Sequence, residues 1–223
     1  MDCTGKTGKT LGVYLDTNLS MEKQVKRQCG MLLKNLWQVN RSLDTSTKIL
    51  LVKQQIISRL DYCNILYTGL PRRLLDSLQK TLNSCVTSVR FIYNLYGHQD
   101  DYSQYLKDTH ILPVAHRVDF KACLMAFKIV HNLAPDYLCE QVPVEELEAV
   151  RTTRGTLLPD PYKLKYPKLS RVNANSKLRR RRPSVFLPEV WNKLPRELRS
   201  VESVDLFKTK LKAILFVEAF RAD

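Results

Sequence analysis

No cysteine in this chain has another within two to four residues of it: the six, at positions 3, 29, 63, 85, 123 and 139, stand far apart. Zinc knuckles and ribbons need ligands at that short spacing, so the pattern argues against one. Cys29, Cys63, Cys85 and Cys123 fall inside apolar helical patterns, where reduced thiols serve as small core residues. Such usage points to an intracellular compartment. There is no N-terminal hydrophobic run and no apolar stretch of about 18 residues, so neither a signal peptide nor a membrane span is expected. A phosphate loop is missing too. "GKTGKT", residues 5–10, has Cys3 where the motif needs its first glycine, and the loop must follow a strand, not precede one. His98, His110, His116 and His131 lack a Cys or carboxylate at ligand spacing, apart from Asp100 and Asp101 near His98. That acidic pair reads as an exposed loop. No cofactor, metal or small-molecule substrate is expected.

Acids are also scarce. Lys and Arg number 36 against 22 Asp and Glu, a formal net charge of +14, which favours polyanionic partners, nucleic acid first and a membrane surface second. The excess is local: residues 151–200 hold fourteen basic residues against Asp160, Glu189 and Glu197, a net +11. The remainder is nearly neutral and, with the chain 44% apolar, can build an ordinary core.

Periodicity predicts a mainly α protein. "TLGVYLD", residues 10–16, alternates and is β-branched, so it reads as a single short strand. A helix from Ser20 to about Val39 follows, with Val25, Cys29, Leu32, Leu36 and Val39 on one stripe; Ser46 opens a second, with Ile56, Leu60, Cys63 and Tyr67 inward. A third runs from Arg72 through Leu74, Leu78, Leu82, Cys85 and Val89, and a fourth covers about 116–132. Long amphipathic helices with short connections make a bundle. Residues 150–182, with Pro159, Pro161 and Pro167 and no helical period, read as an extended, mobile basic loop. Order returns at Val185, where Phe186, Val190, Trp191 and Leu194 can pack, and Ser203 caps a last helix. Trp191 reads as a core anchor, with base stacking the competing role.

Four segments in order, "LGVYLDTNLS", "SRLDYCNILYTGLP", "HILPVAHRVDFKACLMAFKIVHNLAPDYL" and "VFLPEVWNKLPRELRSVESVDLFKTKLKAILF", resemble the region following the polymerase palm in reverse transcriptases of jockey-like non-LTR retrotransposons. The resemblance spans nearly the whole chain and implies a last palm strand, then a thumb and a C-terminal extension. Thr109 and Ile111 stand where the family carries apolar Leu and Trp about the histidine matching His110, and "RRRR" is richer in arginine than the family pattern. The resemblance further implies an RNA-directed DNA polymerase parent, whose two magnesium ions are held by aspartates, one pair in a Tyr-x-Asp-Asp turn. These 223 residues contain no such turn. The chain on its own is therefore expected not to be an enzyme.

The domain reading is a residual palm-edge strand over 1–19, a thumb-like helical bundle over 20–142, a basic linker over 143–184 and a C-terminal helical segment over 185–223. A thumb touches backbone phosphates, so the expected contacts are Lys23, Lys26, Arg27 and Lys34 on the first helix, Arg72 and Arg73 at the start of the third, and the run Lys177, Arg179, Arg180, Arg181 and Arg182. Each set also fits a plain solvated surface, and the arginine run fits a nuclear import address. Arg59 and Asp61, two apart on a helix, are expected to seek partners on other helices. The expected function is binding of RNA or DNA phosphate backbone in the nucleus, without a membrane role. The competing readings are a host-retained helical protein-interaction module and an inert decayed fragment.

Overall fold

A computed structural model describes residues 7–39, 44, 46–47, 50, 52–90, 102–145, 160–167 and 181–221. They are mainly α-helical with one short antiparallel hairpin. The chain divides into two compact units, 1–118 with 217–223, and 119–216.

The first unit opens with β1 (Gly8–Thr10) paired to β2 (Val13–Leu15), Lys9 facing Tyr14. The sequence predicts one strand, and the structure has two. The connecting Leu11 and Gly12 both take positive φ, 47° and 83°, the backbone that a two-residue hairpin turn with right-handed twist requires. Glycine adopts it freely, whereas Leu11 does so with its side chain 84% exposed. The Tyr62 hydroxyl donates to the Leu11 carbonyl at 2.6 Å, which ties down the turn.

Helix α1 (Glu22–Val39) follows a turn in which Leu19 and Met21 have φ of 50° and 62°. The Asp16 carboxylate holds that turn by accepting the N–H groups of Ser20 at 3.0 Å and Met21 at 3.2 Å. Ser20, the predicted cap, contributes only a 3.4 Å bond from the Glu22 N–H. Burial acts to raise the Asp16 pKa, but these main-chain donors outweigh it and hold the carboxyl below its ordinary value. Asp16→Ala is expected to cost roughly 1–2 kcal/mol, since two donors lose a charged acceptor. Because the folded pKa is the lower one, that stability is present above the ordinary carboxylate pKa of about 3.9 and is lost as pH falls through the folded value. Urea unfolding of parent and variant at neutral and acid pH checks this: their difference should shrink on acidification.

The second predicted helix is interrupted. A π-helical turn (Val52–Ile57) passes into α2 (Ser58–Asp61), and Cys63, with φ of 53°, breaks the ladder before a 3₁₀ turn (Asn64–Tyr67). Its apolar stripe survives the break, with Ile56, Leu60 and Tyr67 buried. Helix α3 (Arg72–Arg90) buries Leu74, Leu78 and Leu82 in the same core, and α4 (Tyr102–Asp108) adds Leu106. The first residues of α5 (Val114–Val130) close it with Val114 and Val118. Asp61 finds its cross-helix partner here: Arg117 grips its carboxylate through Nε, at 2.8 Å, and Nη2. Arg59 contributes its carbonyl, which accepts from the Gln28 side chain.

The second unit is built on aromatic packing. Phe127 stacks on Phe207 with centroids 4.4 Å apart and meets Trp191 edge-on at 6.5 Å. The helices that follow are α6 (Asp136–Gln141), α7 (Pro183–Trp191), which carries Trp191, α8 (Arg196–Arg199) and α9 (Val204–Ala219), which carries Phe207. Pro183 begins α7 as a first-turn proline should, with no N–H to leave unpaired. Burial lowers the pKa of His131, whose ring packs 4.2 Å from that of Phe127.

Residues 160–167 differ most from expectation. They carry almost no regular structure, yet they are fastened down. Asn192 receives the Leu164 N–H at 3.0 Å and returns a bond to its carbonyl at 2.9 Å. The Trp191 indole N–H donates to the Tyr162 carbonyl at 2.6 Å, and Leu164 bridges Val144 with its side chain fully buried. Asp160 pairs with the buried Arg199 at 2.6 Å. This portion of the basic segment is a strap, where proline spacing alone reads as a mobile loop.

Candidate nucleic-acid interface

Lys23, Lys26 and Arg27 are exposed on α1. Lys23 and Arg27 are one helical turn apart, so both reach the same patch. Like charges so placed repel, and Tyr14 of β2 lies beneath them. The Lys23 ammonium stands 5.2 Å and the Arg27 guanidinium 4.9 Å from the Tyr14 ring centroid, distances at which the negative ring face attracts cations. Arg27 Nη1 also donates to the Tyr14 hydroxyl at 2.6 Å, and Lys23 Nζ donates to Thr7 Oγ1 at 2.8 Å. Tyr14 is itself fixed, its N–H bonded at 3.0 Å to the Gln24 side chain. A cleft of about 490 Å³ at this end of α1 is lined by Thr7, Asp16, Asn18, Ser20, Lys23 and Lys26, among others.

The other sites predicted from the sequence are placed less evenly. Lys34 lies on α1, with its side chain outside the described residues. Arg72 and Arg73 are exposed where α3 begins, and Arg73 pairs with Glu22. Glu22 is one turn before Lys26, so this ion pair brings the start of α3 beside the α1 patch. It also offsets the opposition between Arg73 and the helix dipole. In the arginine run, Lys177, Arg179 and Arg180 lie outside the described residues, as do His98, Asp100 and Asp101. Arg181 is half-buried, whereas Arg182 is exposed and precedes α7 in extended conformation. Trp191 is fully buried. It packs against Phe127 and Phe207, its N–H is bonded and none of it reaches solvent, so base stacking is closed to it.

Sequence reasoning missed Tyr14. The usable signal was strand alternation: Val13 is buried, so its neighbour Tyr14 must face the opposite side.

Among the described residues no group of three or more His, Cys, Asp or Glu is arranged to hold a metal, and no helix is long and apolar enough to cross a membrane. Comparison with protein-family models, curated proteins and solved structures gives no match to this chain.

Proposed function

We propose that this chain is the post-palm portion, thumb and extension, of a jockey-like reverse transcriptase, and that its own activity is sequence-independent binding of RNA or DNA backbone. The observation that carries the binding reading is the ridge of Lys23, Lys26 and Arg27 set over Tyr14. Preordered cations beside an open cleft suit phosphates, whose spacing is regular whatever the sequence. The family part of the reading rests on the four sequence segments. No Tyr-x-Asp-Asp turn stands in the 223 residues, so the purified chain is expected to show no metal-dependent primer extension and to need no cofactor. Nuclear residence is part of the same proposal, supported by the arginine run at 179–182, which fits an import address.

The test is binding of the full chain to an RNA hairpin and to duplex DNA between about 50 and 200 mM salt. Replacing Lys23, Lys26 and Arg27 together by Ala should flatten the slope of log K against log salt by roughly 2–3, close to one per lost phosphate contact. An unchanged slope, or no binding by the parent, would sink the reading. A second reading, a helical protein-interaction module, draws on Leu11 and Tyr62, 84% and 51% exposed and joined at the hairpin tip. Capture of a protein partner unaffected by the triple substitution would favour it.

A further inference from the structure

We infer that Tyr14 is a positioning residue for backbone binding: it carries no charge, yet it holds Lys23 and Arg27 as one preformed pair. This rests on the nucleic-acid reading of the α1 ridge. Lys and Arg side chains on a helix surface ordinarily sample many rotamers, and a phosphate contact must freeze them. Here much of that ordering is already in place. The ring face lies within 5.2 Å of both cations, and the tyrosine hydroxyl accepts one of the five guanidinium N–H groups. The remaining donors of Arg27 stay available for a forked contact with phosphate oxygens.

Tyr14 is rigid enough for the role. It sits mid-strand opposite Lys9, its N–H is bonded to Gln24, and the adjoining turn is clamped by Asp16. Gln24 is buried in the same helix turn that carries Lys23 and Arg27. The hairpin and the cations are therefore referenced to one another through two short links. Without the ring, Lys23 and Arg27 repel across one turn and separate. Preorganisation of this kind changes affinity without changing the number of ions released, which gives it a signature distinct from that of the charges themselves.

The experiment compares four full-length proteins on an RNA hairpin and a duplex DNA across the salt series: parent, Tyr14→Leu, Tyr14→Phe and Lys23→Ala/Arg27→Ala. Leucine keeps strand propensity and bulk while removing ring and hydroxyl; circular dichroism and thermal unfolding establish that the hairpin end is retained. Tyr14→Leu should weaken binding roughly fivefold at every salt concentration, with an unaltered salt slope. Tyr14→Phe, which keeps the ring face, should fall between Leu and parent and also keeps the fold test independent of Leu. The double-alanine protein should lose affinity and about two units of slope. If both Tyr14 variants bind like the parent while the double-alanine protein is weakened, the positioning role is overturned and the nucleic-acid reading stands. If the double-alanine protein also binds like the parent, the ridge is not the interface and both fall.

Discussion

Trp191→Ala is expected to remove about 3–5 kcal/mol of stability, the range for truncating a fully buried indole. Nothing of Trp191 reaches solvent. Its ring is 5.7 Å from that of Phe207 and 6.5 Å from that of Phe127, so alanine leaves a void lined by rings that cannot collapse without unstacking from each other. A second loss is separable from the first. The indole N–H holds the Tyr162 carbonyl, and Trp191→Phe keeps most of the packing while breaking only that bond, a loss of about 1–2 kcal/mol. Urea unfolding followed by circular dichroism measures both. Amide exchange adds a local readout: the N–H groups of residues 163–165 should exchange faster in either variant, because one fastening of the strap is gone. A Trp191→Ala protein within about 1 kcal/mol of the parent would mean that the aromatic cluster does not hold this unit together.

Asp61→Ala should be nearly as damaging in the other unit, at about 2–3 kcal/mol. Removing one member of a buried pair costs about 3–5 kcal/mol because the other charge is left without compensation. The side chains of Arg117 and Asp61 retain 16% and 24% of their exposure, so water softens the loss. Asn64 adds to the damage. Its amide donates to Asp61 Oδ1 at 3.3 Å and to the Arg117 carbonyl at 3.4 Å, and its own Oδ1 is buried without a hydrogen-bond partner among the described residues. The informative comparison is Asp61→Leu/Arg117→Met. Apolar replacements of a charge pair are often neutral or better, so the double variant should unfold within about 1 kcal/mol of the parent while each single change is severe. A double-mutant cycle reads the coupling directly; additive losses would show that the pair does not act as a unit.

Periodicity was a good guide wherever burial alone shaped the chain. Leu74, Leu78 and Leu82 line the core side of α3, and Phe207, Leu211 and Leu215 that of α9, as three- and four-residue spacing demands. It failed where an unfavourable local conformation is held by distant partners. Leucine is a poor choice for the left-handed first position of a hairpin turn, so "TLGV" reads as continuous strand; the Tyr62 hydroxyl, 51 positions away, supplies the missing stabilisation. Cys63 gives no sign in the sequence that the helix stops there, because the apolar stripe runs on through Tyr67. The strap was illegible for the same reason, since Asn192 and Trp191 bind main-chain groups and leave no periodic trace. At the candidate interface the charges were legible and their organisation was not. Lys23 and Arg27 announce themselves by spacing, whereas the identity of the ring beneath them depends on how β2 docks against α1.

The strap at 160–167 separates two things that mutation usually couples. Asn192 recognises the peptide unit of residue 164, and Trp191 that of residue 162, each by hydrogen bonds to main-chain groups. The only strap side chain both apolar and fully enclosed is that of Leu164, while Lys163 and Lys165 beside it remain accessible, Lys163 in an open pair with Glu145. At its centre, residues 162–165, the attachment is thus written in backbone and one leucine, while the Asp160 carboxylate on Arg199 and the Tyr166 hydroxyl on the Pro188 carbonyl hold its two ends. Substituting Lys163 or Lys165 therefore leaves those main-chain bonds and the Leu164 packing in place, so the electrostatic character of this surface can be changed on a fixed scaffold.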